Sequence, residues 1–185
     1  PPIRRFKWIG AGYFEAMRNP IVAGRSLTWA DIHNRARVLL VTENFAREYW
    51  DEPAEAVGKR IGTGYEAGDW REIIGVVGDV RDDGITQEAT AVVYWPMVLE
   101  GYWGNALYIP RALTYVIRCP RVGTPDFLGD VRGAVWSINS NLPLASVRTM
   151  NDILQGSLAR AAFTLMMLAS AASVALFLGT VGVYG

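Results

Sequence analysis

The stretch AAFTLMMLASAASVALFLGTVGVYG, residues 161–185, decides how the rest of the chain is read. It holds 25 residues without a charge, and 18 of them are hydrophobic. As a helix it would measure roughly 37 Å at about 1.5 Å per residue. The hydrocarbon core of a bilayer is about 30 Å thick. The length suits a membrane span, and 25 uncharged residues exceed what most buried core helices use. Its C-terminal position excludes a secretory signal.

All 36 charged residues therefore lie in residues 1–160. That gives this part about 22% charge, an ordinary soluble value. The chain reads as a soluble domain, residues 1–150, then a helical stalk, 151–160, then a transmembrane helix, 161–185. Eighteen basic and eighteen acidic residues leave no net charge. Binding driven by counterion release needs a basic excess, so nucleic acid is not an expected partner. One cysteine, Cys119, and one histidine, His33, allow no internal disulfide and no zinc site of cysteines or paired histidines. Ala171, Ala175 and Gly179 recur at i, i+4 and i+8, a spacing that lets a second helix approach closely in lipid.

Working back from the span, Thr149-Met150-Asn151-Asp152 has capping-box spacing with Asp in place of Glu. No proline follows. The helix can run through Leu154, Leu158 and Phe163 into the membrane as one lever, or break at Gly156, since glycine costs roughly 1 kcal/mol in a helix interior. Upstream, Leu113 to Cys119 alternates like a half-buried strand. Thr124-Pro125 opens a helix whose face is Phe127, Leu128, Val131, Ala134, Val135 and Ile138. Leu144 to Val147 reads as a returning strand. Together these predict a β-α-β unit.

The N-terminal part reads as strands and short helices. Ile3–Ile9, Val38–Val41, Lys59–Gly62, Arg71–Val80 and Ala91–Trp95 read as strands. Tyr13–Arg18 and Glu43–Trp50 read as helices, the second capped by Thr42. Ile21 to Ile32 reads as irregular, and Asp51 to Val57 as a loop. The fold class is α+β with a mixed sheet.

Tests for chemistry return little. Gly58-Lys59 lacks both the leading glycine and the following Ser/Thr of a phosphate loop. Gly62-Thr63-Gly64 runs to Ala67 and then Gly68-Asp69 rather than into a helix, so it reads as a hairpin turn, not a dinucleotide site. Asp79, Asp82 and Asp83 cluster at a turn without EF-hand spacing. His33 sits in a polar stretch and reads as a surface residue. Trp50 and Trp136 lie on predicted apolar faces and read as core. Trp95, Tyr102, Trp103 and Tyr108 surround a loop and are candidates for an exposed aromatic surface that meets a partner or lipid headgroups. No catalytic, cofactor-binding or metal-binding residue emerges, so no enzyme activity and no cofactor is expected.

A series of motifs carries a family resemblance. Gly12-Tyr13-Phe14-Glu15-Ala16-Met17 is followed by Ala23-Gly24-Arg25, then Val41-Thr42-Glu43-Asn44-Phe45-Ala46-Arg47-Glu48-Tyr49-Trp50 and Val57-Gly58-Lys59-Arg60-Ile61. Ile73-Ile74-Gly75-Val76-Val77-Gly78-Asp79-Val80-Arg81, Asn141-Leu142-Pro143-Leu144, Val147-Arg148-Thr149-Met150 and Gly182-Val183-Tyr184-Gly185 complete it. In order and over the whole chain this resembles bacterial ABC-transporter permeases of the MacB/FtsX type, and is most similar to the duplicated orphan permeases abundant in acidobacteria. It departs at Ala11, where a proline is common, and in a longer stretch from Glu100 to Pro110.

The resemblance implies that residues 1 to about 150 are the C-terminal part of a MacB-like periplasmic core domain. The span would then be the first helix of an FtsX-like membrane bundle in the bacterial inner membrane. It implies a cytoplasmic ABC ATPase subunit, the lipid bilayer and a second permease half or protomer as partners. The implied activity is mechanotransmission in an export- or efflux-like system, with ATP hydrolysed elsewhere. A start at Pro1-Pro2 without Met and an end with no charged flank lead to the expectation of a fragment. The alternatives are a membrane-anchored binding or sensor domain without transport, and a membrane-tethered hydrolase.

Overall fold

A computed structural model of the chain describes residues 5–62, 70–82, 87–101 and 107–184. The chain divides into two compact units, Pro1–Arg118 and Cys119–Gly185. The first is built on a mixed six-stranded sheet. Its elements in order are β1 (Arg5–Ile9), α1 (Tyr13–Met17), β2 (Ile21–Gly24), α2 (Trp29–His33), β3 (Val38–Thr42), α3 (Glu43–Arg47), a 3-10 turn (Pro53–Ala56), β4 (Arg60–Gly62), β5 (Trp70–Val77) and β6 (Val92–Pro96). The strand order is β1-β6-β3-β5-β2, with β4 also paired to β5. β1/β6 and β3/β5 are parallel, while β3/β6, β2/β5 and β4/β5 are antiparallel.

The apolar runs explain the centre of the sheet. Every residue of β3 and of β6 is buried. Strands covered on both faces read as continuous hydrophobic stretches rather than as alternation. Leu39, Val41, Ile73 and Val93 face one way, and Phe45 and Ala46 of α3 pack there. Val38, Leu40, Val92 and Tyr94 face the other way, under Phe14 of α1 and Ile32 of α2. Each fully buried Val, Leu, Ile or Phe adds about 1.5–3 kcal/mol relative to exposure. Short helices on both faces are what this double burial requires.

The segment Ile21–Ile32 is not irregular: it forms β2 and α2. β2 is only four residues long and its pairing with β5 shifts register between Ile21 and Ala23. So short an element leaves no alternation to read. It ends at Gly24 with φ +72°, and a Cβ there would lie 2.3 Å from the carbonyl oxygen of Ile74. A Cβ on Gly75 would lie 2.3 Å from that of Arg25. Gly24 and Gly75 pair in register, so two glycines allow two backbones to meet.

The second unit holds α4 (Pro125–Ile138) and α5 (Met150–Tyr184). α4 starts with proline at its first position, as read. The Thr124 hydroxyl does not cap it, but donates to the carbonyl oxygen of Arg121 at 2.9 Å. Phe127, Leu128, Val131 and Val135 are half-buried, while Ala134 and Ile138 are exposed. The flanking strands do not form, so the expected β-α-β unit is absent at this position. Residues 113–119 and 144–147 have irregular backbone, with Tyr115 79% exposed. Alternation specifies a strand only where a neighbour supplies hydrogen bonds, and among the described residues neither segment is paired in the sheet. A parallel β-α-β connection exists instead at β3-α3-β5, with β4 inserted in it. Trp136 is 48% exposed rather than core, and its indole Nε1 donates to the carbonyl oxygen of Leu142 at 3.1 Å.

α5 is one helix of 35 residues with no break at Gly156. Its start is a reciprocal capping box. Thr149 N–H donates to Asp152 Oδ2 at 2.8 Å, and Asp152 N–H donates to Thr149 Oγ1 at 3.1 Å. Ala162–Val183 is long and apolar enough to cross a bilayer, with mean hydropathy 2.0.

Candidate functional site

Of the four aromatic candidates, the two described, Trp95 and Tyr108, are not part of an exposed surface. Trp95 is 7% exposed and belongs to the core. It is the fourth residue of a strand buried on both faces, which local sequence near a loop cannot reveal. The guanidinium of Arg71 lies 5.4 Å from its ring centroid. Tyr108 is half-buried. Its backbone exchanges two hydrogen bonds with Leu99, at 2.7 and 3.1 Å, and its ring lies 5.1 Å from that of Trp8. Tyr102 and Trp103 lie outside the described residues.

Arg71 was not singled out by the sequence, yet among the described residues it is the largest fully buried side chain, 1% exposed on β5. Besides stacking on Trp95, its Nη2 donates to the Glu100 carbonyl oxygen at 2.8 Å. The Glu100 carboxylate in turn pairs with Arg35. Glu100 is thus held at both its backbone and its side chain. Charged stems of this kind pack as hydrophobes while their heads find oxygen. An arginine between a tryptophan and a glutamate in Trp70-Arg71-Glu72 looks like surface in sequence, and only the sheet places it inside.

The resemblance motifs meet at a second junction. Thr42, at the end of β3, is fully buried. Its hydroxyl donates to Asn44 Oδ1 at 2.5 Å and accepts from the Val92 N–H at 3.0 Å. Asn44 Nδ2 donates to the carbonyl oxygen of Ala89 at 2.7 Å. The Asn44 N–H, an orphan donor in the first turn of α3, is taken by Asp79 Oδ1 at 2.9 Å. Thr42 therefore stands at the expected cap position without capping, because its hydroxyl is engaged by β6, and Asp79 caps in its place. Asp82, beside it, pairs with Lys7. Asp83 and the turn residues 63–69 lie outside the described residues.

A third cluster organises the loop after β2. Arg25 makes a two-pronged contact with Asp31, Nη1 to Oδ2 at 2.7 Å and Nη2 to Oδ1 at 2.9 Å. Thr28 N–H and Oγ1 both donate to Asp31 Oδ2, at 2.9 and 2.6 Å, and Asp31 N–H returns to Thr28 Oγ1 at 3.2 Å. The Arg25 guanidinium, above all, holds the Asp31 carboxyl well below the usual carboxylate range. Thr28-Trp29-Ala30-Asp31 has the same signature as Thr149 to Asp152, so this helix start was legible. His33 is exposed and stacks on Trp29, centroids 6.1 Å apart.

These clusters are positioning networks. They fix loops and helix ends. Burial pushes the Tyr94 phenol up, so it stays neutral at physiological pH. Among the described residues no three metal-ligating side chains gather. The helix α5 carries the other candidates. Ala171, Ala175 and Gly179 lie along it exposed, with open space where a Cβ on Gly179 would stand.

Comparison with known proteins gives partial likenesses. No family model and no curated protein matches the sequence. The periplasmic region of MacB from Actinobacillus actinomycetemcomitans is 19% identical with a TM-score of 0.39, the alignment covering 54% of this chain and 37% of that one. The extracellular domain of the noncanonic ABC-type transporter YknZ from Gram-positive bacteria is 22% identical with a TM-score of 0.38, covering 49% of this chain and 42% of that one. The chain thus spans less than half the length of either solved domain.

Proposed function

We propose that the chain is part of an ABC-transporter-type permease subunit, comprising an extracytoplasmic domain and the first helix of an FtsX-like membrane domain, and that it works by mechanotransmission. The observation that carries this reading is the continuity of α5 from Met150 to Tyr184. At about 1.5 Å per residue it is roughly 52 Å long. A bilayer core takes about 30 Å of that. The remaining turns serve as the stalk, without a proline and with a closed capping box at their start. The segregation of charge and the ordered motif series support the same reading.

In this mechanism a separate cytoplasmic ATPase subunit hydrolyses ATP. Its motion reaches the membrane helices, and the stalk passes it to the domain as rigid-body displacement. The face of Ala171, Ala175 and Gly179 packs against a second membrane helix, of the same permease half or of the other half or protomer. The output is export- or efflux-like, and the protein resides in the bacterial inner membrane with residues 1–160 in the periplasm.

The test is Leu154→Pro in the full-length protein with its ATPase. A proline in the helix interior costs about 3 kcal/mol or more and kinks the helix. ATP hydrolysis should continue and membrane insertion should persist, while output is lost. Unchanged coupling rejects the lever. The sequence following residue 185 tests the class of protein: three or more further spans support a permease, and a single span followed by a signalling domain makes it an anchored sensor.

A further inference from the structure

We draw no further inference here: the strongest candidate, the apolar stripe of Met150, Ile153, Leu154 and Leu158 exposed along the N-terminal turns of α5, carries nothing because nothing in the structure shows what covers it.

Discussion

The Asp79 carboxylate accepts the Asn44 backbone N–H at 2.9 Å, so helix α3 is capped by a residue 35 positions further along the chain. The contact ties the loop after β5 to the turn after β3, two parallel strands already paired in the sheet. Asp79→Ala should therefore lower stability by about 1 kcal/mol, the ordinary value of a lost cap. Asp79→Asn, which keeps an acceptor oxygen, should recover part of it. Denaturant midpoints of the three proteins check this, and an unshifted midpoint for Asp79→Ala would remove the cap from the account.

Gly75 and Gly24 offer a sharper case. A Cβ at either place would stand 2.3 Å from a backbone oxygen, and backbone cannot rotate away as a side chain can. Gly75→Ala should destabilise by about 3 kcal/mol through forced separation of β2 from β5. Gly58→Ala is the control: it has a positive φ but open space around it, so it should lose only about 1 kcal/mol. Thermal unfolding that ranks the two the other way would contradict the close approach.

Asp31 makes stability depend on acid. Its folded carboxyl is held below its unfolded value by Arg25 first and then by Thr28. A depressed carboxylate contributes stability above the unfolded pKa, about 3.9, and loses it as pH falls through the lower folded value. The intact protein should weaken progressively below about pH 4. Asp31→Asn should be less stable at pH 7 by about 2 kcal/mol, for lost charge-assisted hydrogen bonds, and flatter in acid. Urea titrations at pH 7 and pH 3 measure both.

Arg71 should behave as a core residue. Arg71→Ala removes the side chain that fills the space beside Trp95 and frees the Glu100 carbonyl. A loss of about 3 kcal/mol is expected. Arg35→Ala breaks only an exposed ion pair to the same glutamate, and about 0.5 kcal/mol is expected. Equal effects of the two would show that Glu100 is held from outside.

Gly156 is the glycine inside the proposed stalk. Nothing lies within 4 Å of a Cβ placed there, so Gly156→Ala should be accommodated and should strengthen the helix by about 1 kcal/mol. Amide exchange around residues 152–160 in the membrane-embedded protein should slow. If the helix works as a lever, coupling between ATP hydrolysis and output should be kept or improved; a loss would mean that bending at this glycine is needed.

Much of this was written locally. Residues 161–185 announced an apolar helix because twenty-five successive residues carry no charge, a property independent of packing. Val38–Val41 and Ala91–Trp95 announced strands, the first because double burial leaves nothing polar in the run. Thr149 and Asp152 announced a helix start because a capping box closes within four residues. The tertiary structure decided what depends on neighbours. Leu113–Cys119 alternates and is still not a strand among the described residues, since alternation supplies a face but no partner for the backbone. Trp95, read as a loop-side residue, and Arg71, not singled out at all, are buried because the sheet order brings β6 and β5 to opposite sides of β3. Asp79 became a cap through a contact across 35 residues. Sequence fixes the hydrogen-bonding and burial that each residue needs; only the assembled sheet decides which distant groups supply them.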